Sequence, residues 1–151
     1  MIGNIVVAFL LSMVFIFTEL ILFETWTTLI IPAGLAFGLS LIREIIKDIS
    51  DYQGDKKAGI TTLPVWAGCN FSIKLLSILI IIFCVVAFFP YVFFSYTINY
   101  LIALIIIIEI PLIIMVFLMI NKPTQKLFKV LVNVTKYITI GGLIVILVSA
   151  V

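Results

Sequence analysis

The sequence predicts an all-α membrane protein with five transmembrane helices. Hydrophobic residues make up 65% of the 151 positions and the mean hydropathy is +1.43. Charged residues are only 11%, where soluble domains carry about a quarter. The apolar residues fall into five runs, each near the roughly 20 helical residues that cross a hydrocarbon core about 30 Å thick. Helices are the spanning form because an open strand edge in lipid leaves backbone groups unsatisfied, at several kcal/mol each.

The first predicted span covers about 2–22. It has no basic residues before it and is too long for the apolar part of a cleavable signal, so it is read as a retained helix. The second, about 28–46, contains Gly34 and Gly38 in a small-xxx-small pattern suited to close helix packing, and runs directly into a charged segment. The third, about 71–89, is predicted to stop at Pro90. The fourth, about 98–120, carries Glu109 and Pro111 in its interior. An ionisable group at that depth suggests function, but a proline-freed carbonyl and local water give it a structural reading as well, and it is left outside the predicted site. The fifth, about 131–151, contains Gly141 and Gly142, again read as packing positions.

Cys69 and Cys84 lie fifteen residues apart in a chain without histidine, which supports neither a zinc site nor a disulfide framework. They read as small buried apolar residues. Trp26 and Trp66 fall near predicted interfaces, and Tyr91, Tyr96 and Tyr100 near the opposite one. No P-loop, repeat or nucleic-acid motif is visible, so no nucleic-acid partner is expected.

All nine basic residues sit in or beside two connections. Arg43, Lys47, Lys56, Lys57 and Lys74 surround the second; Lys122, Lys126, Lys129 and Lys136 surround the fourth. Because cytoplasmic loops are enriched in Lys and Arg, both connections and the N-terminus are expected on the cytoplasmic side of the cell membrane. Glu19 and Glu24 then lie towards the other surface.

The segment 43–64, REIIKDISDYQGDKKAGITTLP, holds eight of the sixteen charged side chains and all three aspartates, Asp48, Asp51 and Asp55. If the second helix continues through it, 100° per residue gathers Glu44, Asp48, Asp51 and Asp55 within about 60° of arc, with Arg43 and Lys47 on the adjoining flank. Gly54 or Gly59 could end the helix before or after Asp55. Clustered carboxylates suit a hard divalent ion such as Mg²⁺, usually held by one or two carboxylates together with substrate phosphates. Arg43 and Lys47 are then candidate phosphate contacts. A polar loop can be charged simply because it is wet, but that requires no DxxDxxxD spacing.

The run from Arg43 to Pro64 resembles the second aspartate-rich motif of the UbiA superfamily of intramembrane prenyltransferases. Its wording is nearest to the branch that makes archaeal-type ether lipids, REIIKDIEDxEGDxxxGxxTLP. The opening GNIVVAFL, Gly3 to Leu10, is similar to the start of that family's fifth transmembrane helix. The resemblance implies helices five to nine of a nine-helix bundle around a central cavity. It also implies Mg²⁺-dependent transfer of a prenyl group from a polyprenyl diphosphate to a lipid-type acceptor, for this branch geranylgeranylglyceryl phosphate. Asp48, Asp51 and Asp55 match the metal-binding acids of the second motif, and Arg43 and Lys47 are candidate diphosphate contacts.

Two departures stand out. Ser50 and Gln53 occupy positions where the ether-lipid branch has glutamates. The family's first motif, NDxxDxxxD, is absent, and the chain has no further aspartate with which to write it. With Met1 just before the segment that resembles helix five, the expectation is a truncated chain or half of a split enzyme, inactive without an N-terminal half. The alternative is a non-catalytic membrane protein, or a cation-binding transporter component, that retains the motif.

Overall fold

The computed structural model describes residues 2–149, and every regular element among them is helical. The elements are α1 (Ile2–Phe23), α2 (Ile30–Ala58), α3 (Leu63–Ala67), α4 (Cys69–Ala87), α5 (Phe89–Phe93), α6 (Ile98–Leu104), a π-helical turn (Ile105–Glu109), α7 (Ile110–Asn121) and α8 (Gln125–Ser149). Four segments are long and apolar enough to cross a membrane: Ile2–Phe23, Cys69–Phe93, Ile98–Asn121 and Gln125–Val148.

The second predicted span is not among these four. Its helix is the longest, 29 residues or about 44 Å, but the charged segment forms its C-terminal half. The hydropathy change near Ile46 therefore marks a change of environment along one continuous helix, not a helix end. Thr28 and Leu29 precede the helix instead of opening it.

Other boundaries differ for local reasons. The third span does not stop at Pro90. Instead α4 ends at Ala87 and Pro90 lies in the first turn of α5, where its missing N–H costs nothing. The fifth helix begins at Gln125, six residues earlier than its apolar pattern, because the Lys126 to Lys129 turn is polar but still helical. Positions 150 and 151 of that predicted span lie outside the described residues.

The bundle is organised around α2, which packs against α1, α4 and α8. Ile42, Ile45, Ile46 and Ile49 are buried on α2 and join Leu76 and Ile80 of α4 and Leu112 and Met115 of α7 in one core. The opposite faces of the outer helices are lined with exposed Ile, Leu, Val and Phe, the pattern of a surface that meets lipid. Tyr100 is fully buried within the bundle. Its hydroxyl donates to the Ala87 carbonyl at 2.8 Å and its ring meets Tyr96 edge-on, tying α6 to the end of α4.

Close helix approach is confined to particular glycines. A Cβ on Gly38 would come 2.5 Å from the Phe83 ring, and one on Gly141 would collide with the Ile107 side chain. Gly34 meets nothing within 4 Å, so the small-xxx-small pair packs only through its second glycine. We expect Gly141→Leu to destabilise the bundle by about 1–3 kcal/mol through overpacking. Gly34→Ala should leave it unchanged or slightly firmer. Thermal unfolding in detergent, followed by circular dichroism, measures both.

The turn between α1 and α2 is held by one side chain. Glu19, 1% exposed, accepts from the Thr28 amide and the Leu29 amide at 2.7 Å each and from the Thr25 hydroxyl at 3.0 Å. These bonds satisfy amides at the start of α2 that have no carbonyl partner within the helix.

Candidate functional site

The acidic site is built on the C-terminal half of α2. The helix continues through Asp48, Asp51 and Asp55 and ends only at Gly59, whose left-handed backbone (φ 72°) lets both its own amide and that of Ile60 bond the Asp55 carbonyl. Gly54 does not interrupt it. Lys56 and Lys57 occupy the last turn, where cations favour the helix dipole. The three aspartates therefore share one face over two turns.

Two long-range bonds define what surrounds that face. Asn4 Nδ2, in the first turn of α1, donates to Asp48 Oδ2 at 2.7 Å. Gln125 Nε2, at the start of α8, donates to the Ser50 carbonyl at 3.2 Å. The beginnings of α1 and α8 and the acidic half of α2 thus lie at one end of the bundle, opposite the Glu19 turn.

Charge at this end is sorted. Glu44 pairs with Arg43 at 3.0 Å and with Lys47 at 3.8 Å, so the two candidate diphosphate contacts both engage a neighbouring glutamate. Among the described residues, none of the three aspartates has a lysine or arginine within ion-pair distance. Lys56 instead lies over the Tyr52 ring, 5.8 Å from its centre. Asp48 is half-buried. Burial raises its carboxyl above the usual range, the Asn4 hydrogen bond opposes this, and the Asp55 and Glu44 charges add to the rise.

These residues fit a divalent metal in part. Their donors are hard carboxylate oxygens without a lysine or arginine partner among the described residues, which suits Mg²⁺. Seven residues of helix separate Asp48 from Asp55 by about 10 Å along the axis. Consistent with that spread, no three acidic or thiol side chains among the described residues converge on one metal position. The face offers one or two carboxylates at a time, and phosphate oxygens or other groups must complete the coordination.

Two neighbouring features had little signal in the sequence. A cleft of about 380 Å³ between the start of α1 and the α3 segment is lined by Gly3, Thr61, Thr62 and Trp66, and the Thr62 Oγ1 atom is buried without a partner among the described residues. The tie from Asn4 could be suspected only from a lone amide in the first turn of a helix whose next polar residue is Ser12. Further along α2, an apolar cavity of about 210 Å³ is lined by Leu11, Phe15, Leu39, Phe83 and Leu104, with Ser40 and Thr139 as its hydroxyls.

Fold and site define an integral membrane protein of bundled helices, with an acidic helix face at one end and an apolar cavity along the same helix. The chain belongs to the UbiA prenyltransferase family, whose sequence pattern matches residues 1–138. It is 38% identical over 144 residues to a digeranylgeranylglyceryl phosphate synthase of Methanosphaera stadtmanae, covering 95% of this chain and 51% of that protein. A synthase of the same name from Methanobrevibacter smithii is 33% identical over 160 aligned residues, covering all of this chain and 52% of that protein. A solved structure described as digeranylgeranylglyceryl phosphate synthase in membranes superposes with a TM-score of 0.83 at 28% identity, over 99% of this chain and 52% of that one. The chain spans about half the length of the relatives it matches.

Proposed function

We propose that this chain forms the second half of a Mg²⁺-dependent prenyltransferase site that moves a prenyl group from a polyprenyl diphosphate to a lipid-type acceptor, with geranylgeranylglyceryl phosphate as the acceptor. The observation that carries this reading is the row of three aspartates that, among the described residues, have no lysine or arginine partner, on one face of α2 in a chain of the UbiA family. Asp48, Asp51 and Asp55 hold the metal, and Asn4 fixes one oxygen of Asp48. Bound Mg²⁺ supplies neutralisation of the diphosphate as its bond to the prenyl carbon breaks. Arg43 and Lys47 move from Glu44 to phosphate oxygens as substrate arrives. The apolar cavity takes part of the prenyl chain and keeps water from the carbocation.

In this reading α2 also crosses the bilayer through residues 30–46. The five spans then correspond to helices five to nine of a nine-helix bundle, with the acidic end on the cytoplasmic face of the cell membrane. The remaining metal ligands come from an N-terminal half carrying NDxxDxxxD.

Co-expression with the N-terminal half of the Methanosphaera stadtmanae relative tests the reading. Prenyl transfer from geranylgeranyl diphosphate that requires Mg²⁺ and both halves is the expected result. A correctly assembled pair with no transfer would favour a non-catalytic membrane protein or a cation-binding transporter component that retains the motif. Robust transfer by the 151-residue chain alone would overturn the half-site.

A further inference from the structure

A second polar feature lies at mid-span, away from the aspartates. The π-helical turn Ile105–Glu109 closes with the Ile110 amide bonding the Ile105 carbonyl, and Pro111 immediately follows. Proline removes the donor for a carbonyl one turn earlier, and such π-turns mark functional sites more often than chance. Glu109, 5% exposed, ends this turn, and its Oε1 is buried with no hydrogen-bond partner among the described residues.

Glu109 lines a groove of about 330 Å³ between α4 and α7. The other walls include Ile80, Cys84, Phe88, Ile113 and Val116, so the carboxyl is its one charged-type group. A buried acceptor without a donor is costly in an apolar setting. At the centre of a span a charged donor would carry its own desolvation cost, so a neutral donor is the favourable partner.

We propose that the groove between α4 and α7 is an intramembrane binding site for an uncharged long-chain alcohol, with Glu109 accepting the hydroxyl hydrogen bond and the apolar walls holding the chain. The hydroxyl supplies the donor that the buried oxygen lacks. The hydrocarbon chain matches the Ile, Phe and Val walls and continues into surrounding lipid. This site is independent of prenyl transfer at the aspartates.

The test uses the full chain in phosphatidylcholine nanodiscs and two photoreactive probes. One is hexadecanol with a diazirine near the methyl end; the other is the same diazirine hydrocarbon without the hydroxyl. Mass spectrometry of labelled peptides should show the alcohol enriched on Cys69–Ala87 and Ile110–Asn121 about fivefold over the hydrocarbon, the factor given by one net hydrogen bond. Glu109→Leu should remove the difference, whereas Glu109→Gln, which keeps an acceptor oxygen, should retain it. If Glu109→Leu does not fold, Ile113→Trp provides the second test, because it fills the groove and should block labelling while leaving the carboxyl. Equal labelling by both probes, or alcohol enrichment that survives Glu109→Leu or Ile113→Trp, would overturn the proposal. Enrichment that appears only after two copies in one disc are separated would assign the groove to a second copy instead.

Discussion

Replacing Asp51 or Asp55 with alanine, in the chain completed by an N-terminal half, is expected to reduce Mg²⁺-dependent prenyl transfer by more than about a hundredfold. Losing one group that stabilises developing charge commonly costs about 10²–10³ in rate. Neither carboxylate is engaged by a lysine or arginine, so its removal leaves no cation stranded and the fold should persist. Asp51 is exposed and Asp55 partly exposed, which also favours a loss of rate over a loss of structure. Initial rates across a Mg²⁺ titration, with helicity checked by circular dichroism, measure the effect. Normal transfer in either variant would remove that residue from the site.

A large effect on folding is expected at the other end of the bundle. Glu19→Ala removes an acceptor for three donors and should lower the unfolding midpoint by about 5–10 °C. Glu19→Gln should fall between this variant and the parent. Its amide oxygen can keep the bonds that Thr25 and Thr28 make to Oε1, but its amide nitrogen cannot accept from Leu29 as Oε2 does. Differential scanning calorimetry in detergent distinguishes the three proteins. Identical midpoints would mean that water at the bundle end replaces the clamp without loss.

The sequence was most legible where one physical rule dominated. Long apolar runs gave the helical membrane class, and the i, i+3, i+7 spacing of Asp48, Asp51 and Asp55 predicted a shared face once the helix was continued. Gly59, not Gly54, ends that helix, a choice that depends on backbone conformation and that composition leaves open. The second span blurred because one helix serves two environments, apolar along 30–42 and charged from Arg43 onward. Glu19 was read only as an acid near a surface, since its three donors come from a turn whose path periodicity does not describe. Arg43 and Lys47 were legible as cations beside acids, but spacing did not tell that Glu44 engages both. Asn4 and Gln125 were the least visible, because their partners lie 44 and 75 residues away in sequence.

Those two distant bonds have a mechanical consequence for α2. They act like two stays on a mast, one from the start of α1 and one from the start of α8. A slip of one residue along the helix would turn the aspartates by about 100° and carry them off their common bearing. Fastened at both points, the helix is held against such a slip. For the two-part site proposed above, the acids are then oriented in advance, so completing it is a problem of docking and not of winding α2 into phase.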